Sequence, residues 1–232
     1  MARTPRESPH AQPRRWPGRE MTSRHFALIP AAGHSSRMGE PKLLLPVDGR
    51  PLVVHTIAAW QRSHVHRIVV VVRPGDDALA DVIRGALDSM TMGVDLVTPG
   101  TPPPDMKASL QMALQHVERK YAPTATDAFL VAPADMPQLS APIIDRLIAL
   151  HAANSSNKIL APSLSGRRGH PVLFPWPLAS EVQALKAEEG LNAIVHRYPP
   201  NLVPCEDLVA SDEYPFADID TPEDYQQITN DK

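Results

Sequence analysis

Short apolar runs alternate along the chain with longer segments in which apolar residues recur every three or four positions. The run RIVVVV at 67–72 is rich in β-branched residues, which is typical of a parallel strand covered on both faces. The segment 76–90 carries Leu79, Val82 and Ile83 in helical step, which is typical of an amphipathic helix. Alternating strands and helices predict an α/β sheet, with a ligand at the carboxyl ends of its strands.

The same pattern predicts the other elements along the chain. The predicted strands lie at 26–30, 67–72, 94–97, 128–131, 158–161, 171–174 and 216–219. The predicted helices lie at 51–62, 76–90, 106–121, 141–154, 178–185, 191–198 and 222–228. No internal repeat is present.

Composition narrows the classes of partner. The chain has 232 residues, a formal net charge of -3 and a single cysteine. The charge provides no general attraction to nucleic acid or anionic lipid, and one cysteine excludes an internal disulfide and a cysteine-based zinc cluster. No apolar run reaches the length of a membrane span. We therefore expect a soluble cytoplasmic protein with no nucleic-acid or membrane partner.

Residues 1–24 differ from the rest of the chain, with six arginines, four prolines and almost no apolar residues. Such a segment cannot bury enough surface to order itself, and it lacks the apolar core of a secretory signal. The prolines also disfavour the amphipathic helix of a transit peptide. We predict a disordered extension, or a start codon assigned too early with Met21 as the true start, followed by a single domain at 25–232.

The stretch 26–46, FALIPAAGHSSRMGEPKLLLP, has the chemistry of an anion site. A strand that ends in small residues lets a ligand approach the backbone at Gly33, and exposed N–H groups in such a turn attract anions. Arg37 can bind a phosphate in a bidentate manner, and Lys42 adds a compact charge. The stretch matches neither the P-loop pattern nor a G-x-G-x-x-G fingerprint. An ordinary exposed loop remains the alternative.

Residues 28–45, LIPAAGHSSRMGEPKLLL, resemble the signature of the nucleotidyltransferases related to the molybdenum-cofactor cytidylyl- and guanylyltransferases. The match includes both glycines, Arg37, Met38 and Lys42. The resemblance implies a Rossmann-like nucleotidyltransferase fold of the glycosyltransferase-A type, with three layers and a mixed, mainly parallel sheet. It also implies transfer of a nucleoside monophosphate to a phosphorylated acceptor, with release of pyrophosphate.

The resemblance also implies roles for individual residues. Arg37 and Lys42 are expected to be catalytic, because they would neutralise the leaving pyrophosphate. The expected nucleotide-binding residues are Ala31, Ala32, Gly33, Ser35, Arg37, Lys42 and Ser109. The Ala-Ala-Gly turn resembles that of the cytidylyl branch, which indicates CTP as donor and molybdopterin, the organic part of the molybdenum cofactor, as acceptor.

Asp135 follows the predicted strand 128–131, in the sequence FLVAPADMP. A carboxylate beside a triphosphate suits Mg²⁺, which takes one or two carboxylates and keeps phosphate oxygens and water as other ligands. The alternative is a helix cap, but Ser140 lies closer to the next helix. The residues Ala-Asp-Met-Pro resemble the family's G-D-[MQ]-P, which implies that Asp135 is a metal ligand.

The second candidate carboxylate lies in DIDTPED near the end of the chain. Thr221 and Pro222 suit the start of a helix, so a capped terminal helix is the alternative. Asp218 and Asp220 share one face of the predicted strand 216–219 and its continuation. The motif resembles the family element that holds the second metal ligand, and we assign that role to Asp220, with Asp218 as second choice.

Residues 166–174, GRRGHPVLF, resemble the family loop that closes on the acceptor. Gly169, His170 and Pro171 are the expected acceptor contacts, although a structural role is the alternative for the histidine. The adjacent Arg167 and Arg168 are candidates for a second phosphate of the acceptor.

One segment departs from the family pattern. The stretch 102–110, PPPDMKASL, keeps Met106 and Ser109 of the family's G-M-S-S-S-L element but introduces Asp105 and Lys107. Lys107 is expected either to contact a phosphate or to be solvated. Because of this departure, the sequence does not decide the identity of the nucleotide or of the acceptor.

Two other functions remain possible from the sequence. One is a sugar- or polyol-phosphate nucleotidyltransferase. The other is a non-catalytic chaperone that binds the molybdenum cofactor and delivers it to a molybdenum hydroxylase, although the presence of both candidate metal carboxylates argues against it.

Overall fold

The computed structural model describes residues 23–35, 37–88, 93–154, 157–210 and 215–230. The strands in these ranges are β1 (His25–Pro30), β2 (Pro46–Val47), β3 (Arg50–Pro51), β4 (Arg67–Val71), β5 (Val94–Val97), β6 (Ala128–Val131), β7 (Leu160–Leu164), β8 (Arg167–Arg168), β9 (Val172–Pro175) and β10 (Asn201–Pro204). The α-helices are α1 (Leu52–Arg62), α2 (Asp77–Asp88), α3 (Met106–Tyr121), α4 (Ala141–Asn154), α5 (Ala179–Gln183), α6 (Asn192–Arg197) and α7 (Pro222–Asn230). Within the described ranges, no helix is long and apolar enough to cross a membrane.

The main sheet is mixed and mainly parallel, with strand order β10-β7-β9-β6-β1-β4-β5 and β8 paired with β7. β1 runs parallel to both β4 and β6, whereas β9 runs antiparallel to β6 and β7. The chain passes from β1 to β4 and β5 on one side and later adds β6 on the other side, so the strand order reverses beside β1. In open α/β sheets a ligand binds at the carboxyl ends of strands at such a reversal.

Helices cover both faces of this sheet, and the alternating side chains of β1 contact both layers. Ala27 and Ile29 belong to the buried cluster beneath α1, α2 and α4. Phe26 and Leu28 belong to the cluster beneath α3, α5 and α6. The mixed, mainly parallel sheet between two helical layers confirms the predicted three-layer fold.

The predicted strand 216–219 is wrong. Phe216 lies in a turn, and the residues after it belong to no strand. The backbone N–H of Ile219 donates to the carbonyl of Asp135 at 3.1 Å, so this bond reaches a loop after β6 rather than a strand edge. Phe216 and Ile219 pack against the α1/α2/α4 core, which explains why their apolar pattern resembled a strand.

Two strands of the main sheet were missed by the pattern. β8 consists of two exposed arginines, and β10 has three exposed residues out of four. Both are therefore almost without the buried apolar positions that mark a strand in sequence. The strand predicted at 158–161 begins two residues later, at Leu160.

Arg24, the last residue of the predicted extension, contacts the amino end of the sheet. Its backbone N–H donates to Asp127 Oδ1 at 2.6 Å, and its guanidinium pairs with Asp127 Oδ2 at 2.7 Å. Burial acts to raise the pKa of the Asp127 carboxyl, but hydrogen bonds from Arg24 and Thr124 outweigh burial and lower this pKa. Residues 1–22, with most of the predicted extension and the candidate start Met21, lie outside the described residues. So does the end of the predicted helix 76–90.

Two buried histidines lie at the same end of the sheet, remote from the strand carboxyl ends. His25 Nε2 and His151 Nδ1 are 3.0 Å apart, a distance at which one ring donates to the other and at least one is neutral. Burial, together with His151, lowers the pKa of His25 to about 3, and burial also lowers the pKa of His151. The folded protein therefore keeps this pair uncharged.

Stability is expected to fall on mild acidification because His25 takes up a proton in the unfolded chain near pH 6.5 but not in the folded protein. Below pH 6.5 the unfolded state binds more protons, so the loss from His25 reaches about 2 kcal/mol at pH 5. Urea unfolding of wild type and His25→Asn between pH 8 and pH 5 measures it. If the unfolding free energy had the same pH dependence in wild type and in His25→Asn, the assignment would be contradicted.

Candidate active site

Three separate segments meet at one ammonium group at the carboxyl ends of β1 and β6. Lys42 Nζ lies 2.5 Å from Asp135 Oδ2, 2.8 Å from Asp220 Oδ1 and 3.0 Å from the carbonyl oxygen of Ile219. Lys42 begins a short 3₁₀ helix after the β1 loop, Asp135 follows β6, and Asp220 immediately precedes Thr221 at the start of α7. The structure therefore brings together the lysine and both carboxylates singled out in the sequence.

The two carboxylates experience different surroundings. Burial chiefly raises the pKa of Asp135, against the opposing effect of Lys42. The hydrogen bond from Lys42 lowers the pKa of Asp220, and Arg37 acts in the same direction. Burial acts to lower the pKa of Lys42, but Asp135 and Asp220 outweigh it, so the pKa is raised and the amine is charged at neutral pH.

Arg37 is the most exposed residue of this cluster, since 71% of its side chain is accessible. Its Nη1 lies 2.8 Å from Asp220 Oδ2. An ion pair this exposed contributes little to stability, and the predicted role of Arg37 in binding phosphate stays a prediction. Ser36, which separates Ser35 from Arg37, lies outside the described residues.

Ser35 shapes the loop between β1 and Lys42. It has a positive φ of 51°, and its Oγ accepts a hydrogen bond from the Lys42 backbone N–H at 3.3 Å. The backbone N–H of Met38 donates to the Ser35 carbonyl at 3.0 Å. These bonds fold the loop back on itself and place Lys42 beneath it.

A cavity of about 320 Å³ opens beside the ammonium group. Its lining comes from the β1 loop, the start of α3 and the loop after β6, and it includes the predicted nucleotide-binding residues Ala31, Ala32, Gly33, Ser35, Lys42 and Ser109 together with Asp135. The site therefore joins an open, small-residue pocket to a cluster of charged groups.

Asp105 and Lys107, two of the three departures from the family pattern beside Ala108, have structural partners. The Asp105 side chain accepts a hydrogen bond from the Ala108 N–H at 2.7 Å and caps α3. Lys107 is buried, and its Nζ donates to the carbonyls of Lys186 and Ala187 at 2.6 and 2.7 Å. Our expectation that Lys107 is solvated is wrong, because the side chain is buried and its Nζ is bound to the 186–187 loop. Its contact with a phosphate stays a prediction.

The predicted acceptor loop packs against the segment that carries Asp220. A Cβ on Gly169 would lie 2.2 Å from the Phe216 ring, so only glycine permits this approach. The backbone N–H of Gly169 donates to the Pro162 carbonyl at 2.8 Å. His170 is half-buried, and burial lowers its pKa while the charge of Asp218 opposes the shift. Pro171 is buried.

Geometry distinguishes the two candidates for the second carboxylate. Asp220 shares Lys42 with Asp135. Asp218 is exposed, and its charge contributes to the raised pKa of Asp135 without an ion pair to Lys42. The arrangement favours Asp220 as the partner of Asp135, as the sequence argument did, and the metal-ligand role of both stays a prediction.

The donor set fits a small divalent cation. Asp135 Oδ1 is buried and has no hydrogen-bond partner, and an unsatisfied buried carboxylate oxygen is costly unless a ligand occupies it. No group of three histidine, cysteine or acidic side chains suited to a metal occurs among residues 23–35, 37–88, 93–154, 157–210 and 215–230. Two carboxylates supplemented by phosphate oxygens and water match the preference of Mg²⁺.

Arg73 is a supporting residue that the sequence argument missed. Its Nη1 donates to the Gly33 carbonyl at 2.9 Å, and its Nη2 pairs with Asp76 at 2.9 Å. It follows β4, the parallel neighbour of β1. Because carboxyl ends of parallel neighbours meet at one edge, its position after 67–72 was the signal that could have identified it.

Comparison with known proteins places this geometry in context. Residues 27–202 match the family model described as "MobA-like NTP transferase domain". The 2-C-methyl-D-erythritol 4-phosphate cytidylyltransferase of Dechloromonas aromatica is 35% identical over 141 residues, which are 60% of this chain and 59% of that protein. Nicotine blue oxidoreductase of Paenarthrobacter nicotinovorans is 28% identical over 207 residues, which are 87% of this chain and 94% of that protein. The chain spans less than two thirds of the length of some curated relatives, down to 25%.

The fold is also found among solved structures. The manganese complex of Rv0371c from Mycobacterium tuberculosis H37Rv superimposes with a TM-score of 0.68 and covers 90% of this chain and 100% of that chain. At 22% identity, the likeness concerns the fold alone.

Proposed function

The chain belongs to the MobA-like NTP transferase family, and from that premise we propose that it transfers CMP from CTP to a phosphorylated acceptor and releases pyrophosphate. The acceptor we propose is molybdopterin in the molybdenum cofactor, the divalent cation is Mg²⁺, and a molybdenum hydroxylase would use the product. The observation that carries the proposal is the convergence of Asp135 and Asp220 on Lys42 beside the open cavity.

The reaction needs positioning and charge neutralisation more than it needs a protein base. A phosphate oxygen of the acceptor attacks the α-phosphorus in line, the bond to the bridging oxygen breaks, and pyrophosphate leaves with that electron pair. Lys42 and Arg37 balance the charge that develops on pyrophosphate. When bound, Mg²⁺ supplies further neutralisation of phosphate charge, and Asp135 and Asp220 are the residues that would hold it.

The pocket lining suits the nucleoside half of the donor. Ala31, Ala32 and Gly33 present backbone with little side-chain bulk, and no atom stands within 4 Å of a Cβ built on Gly33. Arg73 fixes the carbonyl of Gly33, so the turn is held before a nucleotide arrives. The Ala-Ala-Gly turn, which resembles that of the cytidylyl branch, and the likeness to a cytidylyltransferase support CTP.

The acceptor would enter from the side of Gly169, His170 and Pro171. Gly169 packs on Phe216, two residues before Asp218, and the Asp218 charge reaches both His170 and Asp135. The acceptor loop thus lies next to the carboxylates rather than at the far side of the sheet. Arg167 and Arg168 are exposed on β8, where they remain candidates for binding a second anionic group.

Purified protein with Mg²⁺, CTP and molybdenum cofactor is expected to release pyrophosphate, measured by a coupled enzymatic assay. CTP with Mg²⁺ is expected to raise the melting temperature more than GTP or UTP, because ligands that bind the folded state stabilise it. Absence of pyrophosphate release with molybdenum cofactor would reject the proposed acceptor. Tight binding of the cytosine dinucleotide product without any turnover would favour a non-catalytic carrier.

A second acceptor class has its own support. The 35% identity to a 2-C-methyl-D-erythritol 4-phosphate cytidylyltransferase extends over 141 residues. Polyol and sugar phosphates present the same nucleophile, a phosphate oxygen. Pyrophosphate release from CTP with 2-C-methyl-D-erythritol 4-phosphate, but not with molybdenum cofactor, would select this alternative.

A further inference from the structure

The ammonium group of Lys42 has no donor left for a substrate. A lysine carries three N–H donors, and in Lys42 all three have partners, namely Asp135 Oδ2, Asp220 Oδ1 and the Ile219 carbonyl. The side chain is only 16% exposed. Lys42 can therefore bind a triphosphate only after it releases at least one of these oxygens.

The carboxylates are engaged in the same way. One oxygen of Asp135 and one of Asp220 are within 2.8 Å of Nζ. A magnesium ion bound to the same two carboxylates would lie about 2.1 Å from its ligand oxygens, and the repulsion between the dication and an ammonium left in place would be strong at such short range. Bound metal and the observed position of Lys42 therefore disfavour each other.

We propose that Lys42 serves as a built-in cation that fills the divalent-metal site between Asp135 and Asp220 and is exchanged for the metal when a nucleoside triphosphate binds. The inference rests on the proposed function, since it takes the triphosphate to be the anion that draws Lys42 away. Metal and nucleotide then assist each other, because both require Lys42 to leave the two carboxylates, and the resulting coupling is the same in either direction. Free metal alone has to displace a charged, triply hydrogen-bonded lysine and binds weakly.

The exchange also assigns a role to Asp135 Oδ1. This buried oxygen has no hydrogen-bond partner while Oδ2 is held by the lysine. A cation entering between the carboxylates has this oxygen available as a further ligand. With Lys42 in place one buried carboxylate oxygen thus has no hydrogen bond, and a bound cation would satisfy it.

Removal of the lysine should expose the metal site. Mn²⁺ binding without nucleotide, measured by electron paramagnetic resonance at pH 8, is expected to tighten roughly tenfold or more in Lys42→Met. A tenfold change in the dissociation constant corresponds to the loss of one modest charge interaction, here the repulsion between Lys42 and the metal. The matched control is Lys120→Met, because Lys120 pairs with Asp95 at 2.7 Å outside the site. This control should bind Mn²⁺ as weakly as wild type does.

Two further measurements locate the effect. Asp135→Asn introduced into Lys42→Met should abolish the gained Mn²⁺ affinity, and CTP should tighten Mn²⁺ binding to wild type by a larger factor than to Lys42→Met. Thermal unfolding verifies that each variant is folded, and Lys42→Gln replaces Lys42→Met if the latter is unfolded.

The proposal is overturned if Lys42 variants that are folded bind Mn²⁺ no more tightly than wild type, or if Lys120→Met shows the same gain. These outcomes do not depend on turnover. If wild type fails to transfer CMP but Lys42→Met gains Mn²⁺ affinity as expected, the proposed function alone is rejected. If wild type transfers CMP but Lys42→Met shows no gain in Mn²⁺ affinity, the cation exchange alone is rejected.

Discussion

Asp135→Asn is expected to reduce pyrophosphate release from CTP by roughly 10³-fold, the size of effect seen when one preorganised electrostatic contact is removed from an active site. The amide has nearly the same shape but carries no charge to hold a metal. The variant should still fold, because Lys42 retains Asp220 and the Ile219 carbonyl as partners. Steady-state pyrophosphate release and thermal unfolding measure the two effects.

The matched control for this substitution is Asp145→Asn. Asp145 accepts a hydrogen bond from the His64 backbone N–H on the far side of α4 and has no place in the proposed chemistry. If Asp135→Asn kept more than a tenth of the wild-type rate, the metal-ligand role of this carboxylate would be refuted.

Comparison of the two downstream carboxylates completes this test. Asp220→Asn should lose activity nearly as severely as Asp135→Asn, because both side chains share Lys42. Asp218→Asn should lose much less, because Asp218 is exposed and acts on Asp135 only through its charge. The opposite ranking would assign the second carboxylate to Asp218.

The central sheet and its binding edge could be predicted because local sequence encodes them directly. The run at 67–72 has the continuous β-branched composition of a covered parallel strand, and Asp135 lies in the loop after a buried strand. Parallel neighbours bring such positions to one edge. The proximity of the β1 loop to Asp135 thus follows from the α/β pattern once the strand order is known.

The rest of the site depends on contacts between distant parts of the chain. Lys107 reaches carbonyls about 80 positions away, and no local pattern distinguishes such an inward lysine from a solvated one. Asp220 was recognisable, but the predicted strand before it was wrong. Ile219 and the half-buried Phe216 pack against the core, and the Ile219 N–H bonds to the loop carbonyl of Asp135 instead of to a strand. Burial alone does not reveal which backbone groups are paired.

Gly169→Ala is expected to damage both the acceptor loop and the segment that carries Asp220. The new Cβ would lie 2.2 Å from Phe216 Cγ. Because Cγ is not the far end of a flexible side chain, relief requires the whole ring or the backbone to shift. Overpacking of this kind costs about 1–3 kcal/mol, and a displacement of about 1 Å in a site can lower the rate about 100-fold. Acceptor-dependent pyrophosphate release and urea unfolding measure these losses.

The cause can be isolated with a double-mutant cycle. Phe216→Ala removes the ring that a Cβ at residue 169 would meet, so Gly169→Ala should cost far less in that background, with a coupling free energy above about 1 kcal/mol. Gly85→Ala is the matched control, because Gly85 lies exposed in α2 with no atom within 4 Å of a built Cβ and alanine favours helix. Additive losses in the double variant would mean that the packing of Gly169 on Phe216 does not link the acceptor loop to the carboxylate segment.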